Sequence, residues 1–157
     1  MAGASERFER AAAERGLAVE VRRFPEGTKT AADAARAVGC QLGQIVKSLV
    51  FTADGRPMVA LTSGANRADT ARLGEELGAE DVRRASPEEA RAATGFAIGG
   101  TPPFGYPERL EVLVDEALMG YDVVWAAAGT PDAVFPLSPH DLVRASAGRV
   151  ADFSERA

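Results

Sequence analysis

Residues 17–24 alternate, with Leu17, Val19 and Val21 on one side and Ala18, Glu20 and Arg22 on the other. That period of two predicts a half-buried strand. Two more apolar runs, 45–52 and 57–62, flank Asp54-Gly55, a dipeptide that favours a tight hairpin turn. Residues 110–114, 123–127 and 133–137 bring the strand candidates to about six. Between the strands the sequence carries helix-end signals. Residues 5–15 read as a helix stopped by Gly16, and Thr30-Ala31-Ala32-Asp33 resembles a capping box opening a helix that ends near Gly39. Asn66 is placed to cap a helix over 67–77 that Gly78 stops. In Ser86-Pro87-Glu88-Glu89 the serine caps, the proline takes the first helical position and Glu89 can return a bond to the cap. Ser138-Pro139-His140-Asp141 repeats that logic for a last helix through residue 144. Interleaved helices and strands with one antiparallel hairpin predict an α+β domain around a central mixed sheet. No repeat, low-complexity tract or linker divides the chain, so residues 1–157 are expected to form one domain.

Composition narrows the chemistry. Hydrophobic residues make up 46% and charged residues 26%, a globular balance. No apolar run approaches the roughly 20 residues of a membrane helix, and no basic segment followed by an apolar stretch marks a secretory signal. No membrane partner is therefore expected. The lone Cys40 forbids an internal disulfide and fits a reducing compartment, so the expected location is cytoplasmic. With one cysteine and one histidine, a zinc site would need carboxylates almost throughout, and neither metal nor cofactor is expected. The net charge of −5 argues against a broad basic face for nucleic acid; contact with RNA would have to be local, transient or assisted.

Lys47 stands in Ile45-Val46-Lys47-Ser48-Leu49-Val50-Phe51, where alternation sets it beside Ile45, Leu49 and Phe51. Both faces of this strand are largely apolar, so it reads as internal. Sixteen of the 18 basic residues are arginine; Lys29 and Lys47 are the exceptions. A lysine on such a strand either lays its stem along the sheet and reaches water, or presents a compact ammonium to a cleft. The second informative segment is Thr94-Gly95-Phe96-Ala97-Ile98-Gly99-Gly100-Thr101-Pro102-Pro103-Phe104-Gly105. Its glycines supply backbone freedom and its prolines stiffness, which suits a loop that aims N–H groups at an anion or a developing oxyanion. The spacing fits neither a dinucleotide fingerprint nor a phosphate-binding P-loop. An ordinary connection packed on Phe96, Ile98 and Phe104 fits it equally well. His140, second in its helix, reads as exposed, Cys40 as a small packed residue, and Trp125 as core. Asp69, Asp115 and Asp122 read as polar contacts without a paired-carboxylate spacing, and the Arg22-Arg23 and Arg83-Arg84 pairs as surface.

Taken in order, four segments resemble the YbaK/ProX family of aminoacyl-tRNA editing domains. They are 45–51 with Asp54-Gly55; Leu61-Thr62-Ser63-Gly64-Ala65-Asn66-Arg67-Ala68-Asp69 running into Leu73; the 94–105 loop; and Ala128-Gly129 followed by Leu137-Ser138-Pro139-His140-Asp141-Leu142. They span about residues 20–153. The resemblance implies a mixed sheet closing toward a barrel with helices around it, and hydrolysis of the ester joining a wrong amino acid to the terminal adenosine of tRNA. It assigns catalysis to Lys47, Gly99 and Gly100. Contacts to the substrate fall to Thr101, Pro102, Pro103, Phe104, Ala128 and Gly129. The implied partners are the acceptor end of mischarged tRNA, most often tRNA-Pro, and prolyl-tRNA synthetase; the expected state is a monomer or weak homodimer. No side chain is an evident general base, and in this family groups of the substrate itself can assist attack.

Departures bear on the amino acid removed. Cysteine-specific members carry Ser-Gly-Gly-Lys-Arg-Gly where this chain has Ala127-Ala128-Gly129-Thr130-Pro131-Asp132, and the histidine of the alanine-editing branch is missing there too. The Thr-Pro-Pro-Phe-Gly loop is similar to the ProXp-x branch, which implies alanine or 2-aminobutyrate, with cysteine less favoured. Two other functions remain compatible with the residues: a non-catalytic tRNA- or synthetase-binding module, and a hydrolase of another small ester.

Overall fold

Three of the caps read from the sequence do the same thing in the structure: Thr30, Ser86 and Ser138 each accept, through the side-chain oxygen, the backbone N–H three residues on. The structure is a computed structural model that describes residues 3–28 and 30–156; Lys29 lies outside the described residues. These caps open α2 (Ala31–Val38), α4 (Pro87–Thr94) and α5 (Pro139–Ser146), while α1 covers Ala4–Glu14. At α4 Glu89 returns the bond to the N–H of Ser86 at 2.8 Å and completes the capping box. The cap expected at Asn66 lies elsewhere. Helix α3 spans Thr70–Leu77, and Asp69 caps it by accepting the N–H groups of Ala71 and Arg72. Residues before it are drawn away, Asn66 by its bond to Asp115 and Ala68 by a bridge to Ser154.

Eight strands form among the described residues: β1 (Arg22–Arg23), β2 (Val46–Ala53), β3 (Arg56–Ser63), β4 (Val82–Arg84), β5 (Glu111–Asp115), β6 (Val124–Ala127), β7 (Ala133–Leu137) and β8 (Arg149–Ala151). Instead of one central sheet closing into a barrel they make two open sheets. One is mixed and five-stranded, ordered β4-β2-β3-β5-β8; the other is antiparallel and three-stranded, ordered β1-β7-β6. The hairpin of β2 and β3 turns through Asp54 (φ 50°) and Gly55 (φ 83°), left-handed values that its tight turn requires. β4 pairs only with Phe51, Thr52 and Ala53, and a single parallel bridge, Ile45 to Trp125, joins the two sheets. Between those contacts one edge of β2 has no strand partner, and closure stops there. The long strand expected at 17–24 shrinks to Arg22–Arg23. Leu17, Val19 and Val21 are the half-buried positions and pack against the core, but only the two arginines find a ladder partner, in Ala133 and Val134.

Both faces of the five-stranded sheet are covered. Val46, Val50, Val59, Leu61, Val112 and Val114 face a core shared with α1, α5 and the three-stranded sheet, centred on the aromatic trio Phe8, Phe104 and Phe135. Phe51, Met58, Ala60 and Leu113 face the other way, onto Leu73 of α3 and Phe153. β2 is therefore internal, as its two apolar faces predict.

Candidate active site

The unpaired edge of β2 borders a cavity of about 430 Å³. Its walls are Ile45 and residues 46–50 of β2, Ala31 and Ala34 of α2, Trp125, Ala126 and Ala127 of β6, Val134, and Ile98, Gly99 and Thr101 of the glycine–proline loop. That size falls within the range of small-molecule sites, and most of its lining is apolar. Because the carbonyl of Val50 accepts the N–H of Ala85, the peptide groups of even-numbered residues face this edge. Ser48 is thus set with its peptide toward the cavity. Its Oγ is shielded from solvent and has no hydrogen-bond partner among the described residues.

Lys47 lines the cavity, and its half-buried side chain donates from Nζ to the carbonyl oxygen of Asn66 at 2.7 Å. No carboxylate among the described residues lies within ion-pair distance of it. Burial holds its pKa below the ordinary lysine value, and the positive charges of Arg67 and Arg84 press it lower, while Asp115 opposes them. Asp115, 1% exposed, accepts from the N–H of Ser63, from Asn66 Nδ2 and from the N–H of Ala117, each at 3.0 Å.

The loop is fastened at several points. Thr94 Oγ1 donates to the carbonyl of Ala90 and accepts from the N–H of Phe96. Arg7 donates to the carbonyl of Gly95 and lies over the Phe96 ring. The half-buried Tyr106 donates its hydroxyl to the carbonyl of Pro102 at 2.7 Å, and desolvation raises its pKa far above the usual range. Ala97 offers its carbonyl to both the N–H of Gly100 (3.0 Å) and Thr101 Oγ1 (3.1 Å). The N–H of Gly100 is therefore already committed within the loop. The N–H of Gly99, at φ 89°, has no partner among the described residues.

A model of the aminoacyl-tRNA editing domain matches residues 25–145. The chain belongs to this family. A crystal structure described as that of a candidate trans-editing enzyme for prolyl-tRNA synthetase superposes with a TM-score of 0.92 at 43% identity, covering 99% of each chain. The uncharacterized protein YwhH of Bacillus subtilis is 30% identical over 132 residues, 83% of each chain. Proline–tRNA ligase of Acidithiobacillus ferrooxidans is 34% identical over 120 residues, which is 76% of this chain but 21% of the ligase. The editing-domain chain thus spans about a fifth of that synthetase.

Within the editing domain, Lys47, Gly99 and Thr101 meet in the cavity wall. Gly100 lies just behind, packed against Gly129 and Thr130 of the β6–β7 turn. Pro102 and Pro103 are buried outside the cavity lining, and Phe104 is part of the aromatic core. Ala128 is buried beside the lining residue Ala127. His140 is exposed on α5, and Trp125 joins both the core and the cavity wall. Sequence reasoning passed over Ser48 as a polar site and Asn66 as a partner for Lys47. A carboxylate closing an apolar strand was the available signal for Asp115. Among the described residues no group of three His, Cys, Asp or Glu side chains could hold a metal ion, and no helix is long and apolar enough to cross a membrane.

Proposed function

We propose that this protein is a trans-editing deacylase that hydrolyses the ester of a mischarged tRNA, tRNA-Pro carrying a small wrong amino acid being the favoured substrate. The observation that carries this reading is Lys47 in the wall of a largely apolar cavity that Gly99 and Thr101 also line, with its ammonium held by the Asn66 carbonyl. Membership of the editing-domain family, and the likeness to a candidate trans-editing enzyme for prolyl-tRNA synthetase, supply the substrate class. The Thr101-Pro102-Pro103-Phe104-Gly105 loop, similar to that of the branch that takes small aliphatic residues, favours alanine or 2-aminobutyrate, with cysteine less favoured.

In the proposed reaction the acceptor end enters with its aminoacyl group in the cavity. Lys47 holds the terminal adenosine or polarises the ester carbonyl. Water adds to that carbonyl, and the oxyanion is met by Lys47 and by the N–H of Gly99, the amide the loop leaves unpaired. One such donor is commonly worth about 3 kcal/mol in the transition state. The intermediate then expels the ribose oxygen, which takes up a proton, releasing the free amino acid and uncharged tRNA. A ribose hydroxyl of the substrate assists attack, since His140, in the first turn of α5, is exposed and does not line the cavity. Thr101, Pro102, Pro103, Phe104, Ala128 and Gly129 shape the site from the wall and from behind it.

The test is deacylation of tRNA-Pro charged in turn with alanine, 2-aminobutyrate, cysteine, serine or proline, with uncharged tRNA as competitor. Rapid release of one wrong amino acid, sparing of proline and inhibition by uncharged tRNA support the reading. Hydrolysis of small esters that tRNA does not inhibit would replace it with a small-ester hydrolase. Binding of tRNA or synthetase by folded protein that cleaves none of the esters would replace it with a binding module.

A further inference from the structure

The ammonium of Lys47 is held by a neutral group, the Asn66 carbonyl, and that carbonyl sits on a turn with little freedom. The N–H of Asn66 donates to the carbonyl of Ser63 at 2.9 Å, the N–H of Gly64 to that of Ile45 at 2.7 Å, and Ser63 Oγ to that of Gly43 at 2.8 Å. At the centre is Asp115. Its Oδ2 receives both ends of the turn, the N–H of Ser63 and the side-chain amide of Asn66, and its Oδ1 receives the N–H of Ala117. All three donors are neutral amides. A carboxylate buried this deeply is costly unless positive charge is near. Lys47, one hydrogen-bonded residue away, supplies that charge.

We infer that Asp115 and Asn66 are positioning residues for Lys47: Asp115 clamps the 63–66 turn so that the Asn66 carbonyl fixes the ammonium at the cavity wall, and it is the carboxylate that balances Arg67 and Arg84 around it. This rests on the proposed role of Lys47 in hydrolysis. The charged groups that act on Lys47 come from three places: Arg67 after β3, Arg84 on β4 and Asp115 at the end of β5. Two are cationic, so removing Asp115's charge leaves only repulsive charges acting on the ammonium, with the Asn66 carbonyl as its remaining attraction. Asp115→Asn keeps the shape and removes the charge. Asn66→Ala keeps the carbonyl and both charges but removes one strut of the turn.

The chain's two lysines allow the ammonium to be followed without activity. In lysine-labelled protein the Lys47 resonance, assigned by its loss in Lys47→Arg, is titrated by NMR beside single-turnover deacylation. Asp115→Asn should lower the Lys47 midpoint and move the alkaline limb of kcat/KM to lower pH by the same amount. Asn66→Ala should leave KM within about twofold and lower kcat roughly 10- to 100-fold, the cost of shifting a catalytic group by about 1 Å. A folded Asp115→Asn protein with an unchanged Lys47 midpoint overturns the inference, and so does a wild-type kcat in Asn66→Ala if Asp115→Asn does not fold. Full activity in Lys47→Ala would sink the proposed function instead, while the NMR midpoint in Asp115→Asn would still decide whether Asp115 governs the ammonium.

Discussion

Replacing Gly100 by alanine puts the packing of the glycine–proline loop to a quantitative test. A Cβ there would stand 2.8 Å from Thr130 Cα, 2.9 Å from the Thr130 carbonyl carbon and 3.0 Å from the Gly129 oxygen. Carbon pairs rest at about 3.5–4.0 Å, so the overlap is roughly 0.7 Å or more. Every atom it meets is backbone, so no side chain can rotate aside. Overpacking of this kind costs about 1–3 kcal/mol. At the middle of that range a chain of this size should lose roughly 4–8 °C in Tm. Relief comes by moving the loop off the Gly129–Thr130 turn, which displaces Gly99 and Thr101 in the cavity wall. Deacylation should then fall by about 10-fold or more. Thermal unfolding by circular dichroism and single-turnover hydrolysis measure the two effects. Gly120→Ala is the control, because nothing lies within 4 Å of its Cβ, and it should stay within about 0.5 kcal/mol of wild type. Gly100→Ala with wild-type Tm and rate would refute the claim that this contact holds the loop.

Three further outcomes follow from the same geometry. His140→Ala should leave hydrolysis nearly intact, since the side chain is exposed on α5; a large loss of rate would require a different mechanism. Glu89, paired with Arg83 and bonded to the N–H of Ser86, has its pKa lowered from 4.5 to about 2. Its folded pKa lies below the unfolded one, so its contribution is full above pH 4.5 and is lost as pH falls through 2. Glu89→Gln should therefore lower Tm at neutral pH, with the gap closing toward pH 2. Lys47 binds its proton less tightly folded than unfolded, so wild type should gain stability relative to Lys47→Met as pH rises toward 10.5. Urea unfolding at pH 7 and pH 10 checks this, and a gap that moves the other way contradicts the burial argument.

The helices were legible because their ends are local chemistry. Ser86-Pro87-Glu88-Glu89 contains all that its cap needs, and the structure uses every part. Asn66 misled because Asp69, three residues on, competes for the same role, while Asp115, 49 residues away, draws Asn66 elsewhere. β4 and β8, three residues each, are too short to show a period, and the 17–24 alternation records burial without recording a ladder. Barrel closure was not legible either, since it turns on where β4 leaves β2, and no local pattern encodes that. Lys47 stood out as a cation on an apolar strand, whereas its partners come from the turn after β3 and the end of β5, brought near by strand pairing. Loop composition pointed to Gly99 and Gly100 alike. Only the fold separates an amide left unpaired from one already bonded to Ala97.

The central claim is that the Lys47 ammonium at the cavity wall carries ester hydrolysis. Its most direct test is single-turnover deacylation of the wrongly charged tRNA-Pro that wild type cleaves fastest, comparing wild type, Lys47→Arg and Lys47→Ala at equal folded concentration. The account predicts that Lys47→Ala loses about 100-fold or more, as when a transition-state donor is removed, with its fold intact. Lys47→Arg should not restore the rate, because a planar guanidinium cannot take the place of a compact ammonium held by one carbonyl. Wild-type hydrolysis by folded Lys47→Ala would contradict the account.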